Sequence, residues 1–368
     1  MTLILGIESS CDETAAAVVE DGRRALSNVI ASQHDLHRRY GGVVPEIASR
    51  AHMERIIPVI DQALGDAGVT MAQVDAVGVG NRPGLIGSLL VGVSAAKALA
   101  WALSKPLIGV NHVRAHLYAG TMSREQEEKA EGGRRKAEVR KEEDLFPALG
   151  LAVSGGHSNL YALESPLHMT LLGKTIDDAV GEAYDKAAAI LELGYPGGPL
   201  VDKLAQQGNP RSTDLPRTLL GPTSLDFSFS GLKTALLYAV RGLPRGRGAA
   251  TTFARSAADL TPSAKADLAA SFQHAAIDTL MIKIGRAIEH MTENGQPPRS
   301  LLIGGGVSAN SLLRRRVLEL GAQRGLRICL PPMTLCLDNA AMIAGLAYQH
   351  LMVGEVDDLT LPAVATSG

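Results

Sequence analysis

His112 and His116 stand four residues apart in His112-Val113-Arg114-Ala115-His116. On a helix that spacing turns both imidazoles to one side, where they can grip one metal ion. A pair so spaced can equally be solvated or bonded internally, so the rest of the chain has to decide. Two small-residue turns follow apolar runs: Ser154-Gly155-Gly156-His157-Ser158 and Gly304-Gly305-Gly306-Val307-Ser308-Ala309-Asn310. Lacking bulky side chains, such turns let a backbone approach phosphate oxygens closely. Asp338, in Leu337-Asp338-Asn339-Ala340-Ala341, offers a carboxylate as third ligand. Metal beside phosphate is the chemistry to which these residues point.

The elements that must position them repeat. Leu3 to Glu8 reads as a strand, Ser9 to Thr14 as a polar turn, Ala15 to Glu20 as a returning strand and Asp21-Gly22 as a further turn. Leu149 to Val153, Ser154 to Ser158 and Asn159 to Leu163 give the same strand, small turn and strand. A second echo links Asp75 to Gly80, Pro83-Gly84, a helix through Leu103 and a strand Pro106 to Val110 with Leu301 to Ile303, its glycine loop, Leu312 to Gly325 and Arg327 to Leu330. Two such halves predict facing lobes with parallel-containing sheets and a ligand in the cleft. Helical periodicity marks His52 to Leu64 and Gly181 to Leu193, the latter with Ala183, Ala187, Ile190 and Leu191 on an apolar side.

Composition narrows the class. A chain of 368 residues with 46% hydrophobic but only 4% aromatic residues fits a two-lobed aliphatic α/β protein. Lys+Arg 36 against Asp+Glu 38 leaves a formal charge of −2, so net charge neither announces nor excludes RNA. Cys11, Cys329 and Cys336 are too few for a disulfide framework, and a reducing cytoplasm is expected. The amino terminus lacks the pattern of a signal peptide. The most apolar window, Gly84 to Leu103, is broken by Lys97 and small residues, so a buried helix is expected there and no membrane span. Arg124 to Asp144 holds seven basic and eight acidic residues and reads as a solvated loop or exposed helix, and Gly242 to Ala250 as a flexible surface stretch.

Several strings occur together and in order: Ile7-Glu8-Ser9-Ser10-Cys11-Asp12-Glu13-Thr14, Gly42-Val43-Val44-Pro45-Glu46, Pro83-Gly84-Leu85, His112 to His116, and Ser154 to His157. They continue through Gly181-Glu182-Ala183-Tyr184-Asp185-Lys186, Tyr195-Pro196-Gly197-Gly198-Pro199, Phe227-Ser228-Phe229-Ser230-Gly231-Leu232-Lys233-Thr234, Gly305 to Asn310 and Asp338-Asn339-Ala340. From residue 3 to about residue 350 the chain resembles the TsaD family of tRNA adenosine threonylcarbamoyltransferases, once described as O-sialoglycoprotein endopeptidases.

The resemblance implies a duplicated actin-like ATPase fold, shared with sugar kinases and heat-shock chaperones, with a nucleotide and metal site in the cleft. It divides the chain into a first lobe (1–121), a charged insertion (122–146) and a second lobe (147–368) whose last helices can return to the first. It implies transfer of threonylcarbamoyl from threonylcarbamoyl-adenylate to N6 of the adenosine 3′ of the anticodon, in tRNAs reading codons that begin with A. His112, His116 and Asp338 match the family's metal ligands, for Fe²⁺ or alternatively Zn²⁺. Ala152, Val153, Ser154, Gly155 and Gly156 match its phosphate and substrate loop, and Asp185, Gly198, Asp202 and Asn310 its nucleoside contacts. Ser9, Asp12 and Glu13 sit where such folds present phosphate contacts, with Asp12 and Glu13 as candidate catalytic groups. His157 is either the proton acceptor or a loop-orienting hydrogen-bonding group. Cys11 receives no nucleophilic role. Implied partners are tRNA, a smaller paralogous (TsaB-like) subunit and a P-loop (TsaE-like) ATPase, after another enzyme has formed the adenylate.

Rival readings are weaker. A metalloprotease of the zincin type needs glutamate after its first histidine, and Val113 stands there. A small-molecule kinase on the same fold does not require the histidine pair, and a nucleotide-dependent scaffold is compatible with catalysis. Two residues depart from the family pattern: Arg82 in place of a glycine before Pro-Gly-Leu, and Asn111 in place of a histidine before the metal pair.

Overall fold

The structure is a computed structural model and describes residues 1–38, 40, 42–124, 142–246 and 252–366. Most of the charged insertion (125–141), part of the flexible stretch (247–250) and the residue after it lie outside the described residues. The first half runs β1 (Leu3–Glu8), β2 (Glu13–Glu20), β3 (Arg24–Ala25), β4 (Val29–Ser32), α1 (His34–Arg38), α2 (Pro45–Ala67), β5 (Ala76–Arg82), α3 (Ile86–Leu103), β6 (Leu107–Asn111), α4 (His112–Ala119) and β7 (Ser123–Arg124). The second half runs β8 (Ala148–Val153), β9 (Ser158–Leu163), β10 (Met169–Lys174), α5 (Val180–Ile190), α6 (Gly197–Ala205), α7 (Ser230–Arg241), α8 (Pro262–Glu293), β11 (Ser300–Gly304), α9 (Ser311–Arg324), β12 (Arg327–Cys329) and α10 (Ala340–Met352).

The strands form a seven-stranded sheet, ordered β6-β5-β1-β2-β3-β7 with β4 also on β2, and a five-stranded sheet, β10-β9-β8-β11-β12. Pairing repeats the sequence echo. β1 lies antiparallel to β2 and parallel to β5, which is parallel to β6. β8 lies antiparallel to β9 and parallel to β11, which is parallel to β12. The parallel neighbours β5 and β6 are joined through α3, and β11 and β12 through α9, the crossover that parallel pairing demands.

β1 is buried on both faces, hence its nearly unbroken apolar run. Ile4 packs with α10, while Leu3, Leu5 and Ile7 face α2 and α3. Each such fully buried aliphatic side chain contributes on the order of 2 kcal/mol. Gly6 is what lets α10 lie on the strand, because a Cβ there would collide with the Ala340 carbonyl. The last helix of the chain therefore covers the first sheet, in contact with β1, β2 and β5.

Two expectations need correction. β2 begins at Glu13, two residues earlier than its apolar pattern suggests, because β4 pairs alongside with Glu13 opposite Ser32. α3 is not buried all round: Leu89, Val93 and Ala96 pack inward, but Ile86, Leu90 and Trp101 are exposed, Trp101 by 73%. Among the described residues it is the one helix long and apolar enough to cross a membrane.

Candidate metal centre and cleft

α4 carries both histidines between the two sheets, in contact with β6 of one and with β8 and β11 of the other. Asn111 starts the helix: its side-chain oxygen accepts from the N–H groups of Val113 and Arg114 at 3.0 and 3.2 Å, a strong N-cap and a physical role for this departure from the family pattern. Gly304 admits the close packing, since a Cβ there would run into the His116 carbonyl. Asp338 arrives from the far end of the chain, just ahead of α10. Asn339 fixes that turn by accepting from Met342 N–H at 3.0 Å and donating to the carbonyls of Leu335 and Leu337.

The three side chains meet. His116 Nε2 lies 3.1 Å from His112 Nε2 and 3.0 Å from Asp338 Oδ1, and His112 Nε2 lies 3.5 Å from the same oxygen. Ligands about 2.1 Å from one ion stand roughly 3.0 to 3.4 Å apart, so this triangle has the size of a first-row metal site. The donor set itself argues for a cation. Two ring nitrogens and a carboxylate oxygen face one another in a buried space, where at most the imidazole protons separate lone pairs. Burial opposes charge on His112, but the Asp338 and Glu8 carboxylates outweigh it and raise its pKa well above the usual value. Burial lowers that of His116, with Asp338 partly compensating. Against the cost of burial, His112 and His116 hold Asp338 well below the ordinary carboxylate range.

Glu8 is the residue that sequence reasoning left without a role. It is fully buried, and its carboxylate accepts from His112 Nδ1 at 2.9 Å and from the backbone N–H of Ser10. With Nδ1–H donated, the Nε2 lone pair of a neutral His112 is directed at the centre. The signal was an acid closing an otherwise apolar strand. His116 has no such support: its Nδ1 is buried without a hydrogen-bond partner.

The β1–β2 tip adds a second cluster. Glu13 Oε1 lies 3.1 Å from His34 Nε2 and Asp12 Oδ2 lies 3.9 Å from it. Burial pushes Glu13 up to about 8, with His34 pulling the other way and Asp338 and Asp12 adding to the rise. The Cys11 thiol is raised by burial and by the nearby Asp12 and Asp338 carboxylates, so it stays protonated and non-nucleophilic. Ser9 is a correction. Its hydroxyl donates to the Ser88 carbonyl at 2.9 Å and it is fully buried, so it ties the tip to α3 instead of facing the cleft.

On the second lobe, Ala152 and Val153 are buried at the end of β8, and Ser154, Gly155 and Gly156 form the open turn. Nothing lies within 4 Å of where a Cβ would stand on either glycine. His157 follows; burial and the neighbouring His112 and His116 press its pKa to about 4, leaving it neutral and weakly basic. Asp185 accepts from Gly197 N–H at 2.8 Å and so holds the start of α6, while Gly198 leaves open space beside it. Asp202 and Asn310 are brought together by Gln273, which donates to Asp202 at 3.0 Å and accepts from Asn310 at 2.9 Å. Gln273 was not anticipated, nor was Tyr195, whose ring sits edge-on to His34 with centroids 6.1 Å apart.

Residues 24–345 match the family described as TsaD: tRNA N6-adenosine threonylcarbamoyltransferase. The chain belongs to the TsaD family. A protein of that description from Symbiobacterium thermophilum is 49% identical over 367 residues, covering 100% of this chain and 96% of its own. One from Moorella thermoacetica is 48% identical over 363 residues, with 99% and 96% covered. Among solved structures, full-length HypF in its phosphate- and nucleotide-bound form aligns over 96% of this chain and 47% of its own, with a TM-score of 0.57 and 12% identity. HypF from T. kodakarensis does so over 96% and 48%, with a TM-score of 0.55 and 15% identity. These likenesses establish the fold, the duplicated actin-like ATPase architecture with its two sheets. Of the residues in those strings, His112, His116 and Asp338 meet, His157 after the Ser154 turn lies near enough to feel both histidines, and Ser9 is bonded to α3.

Proposed function

We propose that the chain transfers the threonylcarbamoyl group from threonylcarbamoyl-adenylate to N6 of the adenosine 3′ of the anticodon, in tRNAs reading codons that begin with A, and releases AMP. The observation that carries this reading is identity near one half, along the whole chain, to transferases of that description. The reaction forms a bond from N6 to the carbamoyl carbon and breaks the bond from that carbon to the phosphate oxygen.

His112, His116 and Asp338 would hold one divalent ion, and two imidazoles with one carboxylate suit Fe²⁺ or Zn²⁺. When bound, such an ion polarises the donor's carbonyl and phosphate oxygens and offsets charge on departing AMP. Glu8 keeps His112 in the ligating orientation. Gly155 and Gly156 present backbone N–H groups to phosphate without side chains in the way, while Ser154 closes the turn by donating its N–H to the His157 carbonyl at 2.8 Å, and Ala152 and Val153 anchor it. Asp185 with Gly198, and Asp202 with Asn310, receive the nucleoside, where carboxylates accept from ribose hydroxyls. The Gln273 bridge fixes Asp202 and Asn310 before substrate arrives, which lowers the cost of ordering them. His157, neutral, accepts a hydrogen bond from the attacking amine and aligns it, and the proton passes to a phosphate oxygen or water. Asp12 and Glu13 face the same space from the first lobe.

The enzyme would work in the cytoplasm on tRNA, with a smaller paralogous subunit and a P-loop ATPase, downstream of an adenylate-forming enzyme. For that subunit, α2 and α3 offer an apolar face: they pack together and leave Met53, Ile57, Ile86 and Leu90 exposed at four-residue spacings. The test is incubation with preformed threonylcarbamoyl-adenylate and unmodified tRNA, with and without those partners, followed by mass spectrometry of the nucleosides. Modified adenosine that disappears in the His112→Ala/His116→Ala variant supports reaction and site together. No product in any combination overturns the reading in favour of a kinase-like enzyme or scaffold.

A further inference from the structure

We propose that Asp12, Glu13 and His34 form a second divalent-cation site, on side chains separate from those of the His112–His116–Asp338 centre. One ligand atom from each of the three lies within 4.8 Å of the other two. The carboxylates are deeply placed, with only 9% of each side chain exposed. Among the described residues neither is paired with lysine or arginine, and His34 is the only base within ion-pair distance of either. A single imidazole N–H cannot serve both. It reaches Glu13 Oε1 at 3.1 Å, and Asp12 Oδ2, 3.9 Å away, is buried without any hydrogen-bond partner. Buried carboxylate oxygens are ordinarily satisfied, and one left bare beside a second acid and an imidazole nitrogen is the arrangement that a cation completes.

The fold builds this triangle deliberately. Glu13 opens β2 opposite Ser32 of β4, and the backbone N–H of Gln33 donates to the Asp12 carbonyl at 3.0 Å. That register delivers His34, the first residue of α1, to the mouth of the two carboxylates. Two oxygens and one nitrogen make a harder donor set than that of the histidine pair. It fits Mn²⁺ or Mg²⁺ better than an ion selected by two imidazoles. The inference holds whatever group the enzyme transfers, because it rests on the first-lobe tip alone.

The experiment is a titration of the metal-free full chain with Mn²⁺, counting free ion by its electron paramagnetic resonance signal. Two ions per wild-type chain are expected, one in His112→Ala/His116→Ala, one in Asp12→Asn/His34→Ala, and none when all four changes are combined. A wild-type chain saturating at one ion, or an Asp12→Asn/His34→Ala chain still taking two, overturns the proposal. The wild-type count needs no variant, so a misfolded substitution cannot leave the question open. Loss of transfer with two ions bound would instead count against the proposed reaction.

Discussion

The turn between β1 and β2 and the turn between β8 and β9 occupy equivalent places in the two lobes, yet they are chemically opposite. The first is acidic and packed: Asp12 and Glu13 are buried, Glu8 lies under them, and Ser9 is tied to α3. The second is neutral and open: Gly155 and Gly156 are exposed and have no neighbour where a side chain would begin. A duplicated fold has thus divided its labour. One tip supplies buried carboxyl groups, one of which, Glu8, holds His112; the other supplies bare backbone that an anion can approach. Charge removal should therefore injure the first tip and its dependents, and added bulk the second.

The largest effect is expected at the centre served by both. His112→Ala/His116→Ala should lose bound metal, measured by elemental analysis, and reduce transfer by about a thousandfold or more, with an unchanged circular dichroism spectrum. Glu8→Gln keeps shape but weakens the acceptor that orients His112. Metal affinity, measured by chelator competition, should fall about 10- to 100-fold, the range for outer partners of a ligating histidine. Unaltered affinity would detach the acidic tip from the metal centre. At the open tip, Gly155→Val should spare metal binding and lower kcat/KM for the adenylate by roughly tenfold, whereas Gly155→Asp should do worse by setting a carboxylate against phosphate. Equal losses for both variants would show that bulk alone matters there.

The smallest effect lies far from either tip and serves as a control. Lys283 in α8 is fully buried and donates to the carbonyls of Leu219 and Ser224 at 2.7 and 2.6 Å, and burial lowers its pKa to about 8. The unfolded chain, with a lysine near the usual value of about 10.4, then binds more protons between those two pH values. Stability should rise with pH across that window, the cost of the buried charge being fully present below it. Lys283→Met should remove that rise in melting temperature while transfer at neutral pH is retained.

Much of this was legible in the chain. Hydrophobic period and glycine turns disclose both hairpins and both strand–helix–strand units, since those signals are local. The histidine pair is visible for the same reason, being one turn of one helix. What escaped depends on long-range register. His34 meets Glu13 only because β4 pairs with β2, and Gln273 bridges Asp202 and Asn310 only because α8 crosses beneath them. Ser9 misled because its place in a motif says nothing about which side of the tip it faces. Glu8 carries a signal of its own: an acid that ends a strand buried on both faces has few reasons to be there except another charged or hydrogen-bonding group.

The contact of α10 with β1, β2 and β5 also has a bearing on how the protein is made. Strands translated early wait for a helix that follows the second lobe, so one side of the first sheet leaves the ribosome uncovered and stays so until α10 has emerged. The second sheet, whose main core is drawn from the later residues and whose other face packs on the already translated α4, faces no comparable delay. A nascent chain stalled before Ala340 would therefore present an apolar sheet to chaperones, and Asp338, immediately ahead of that helix, would reach the histidines only after the second lobe has emerged. Completion of the first lobe and assembly of the metal centre are then one late event in the life of each molecule.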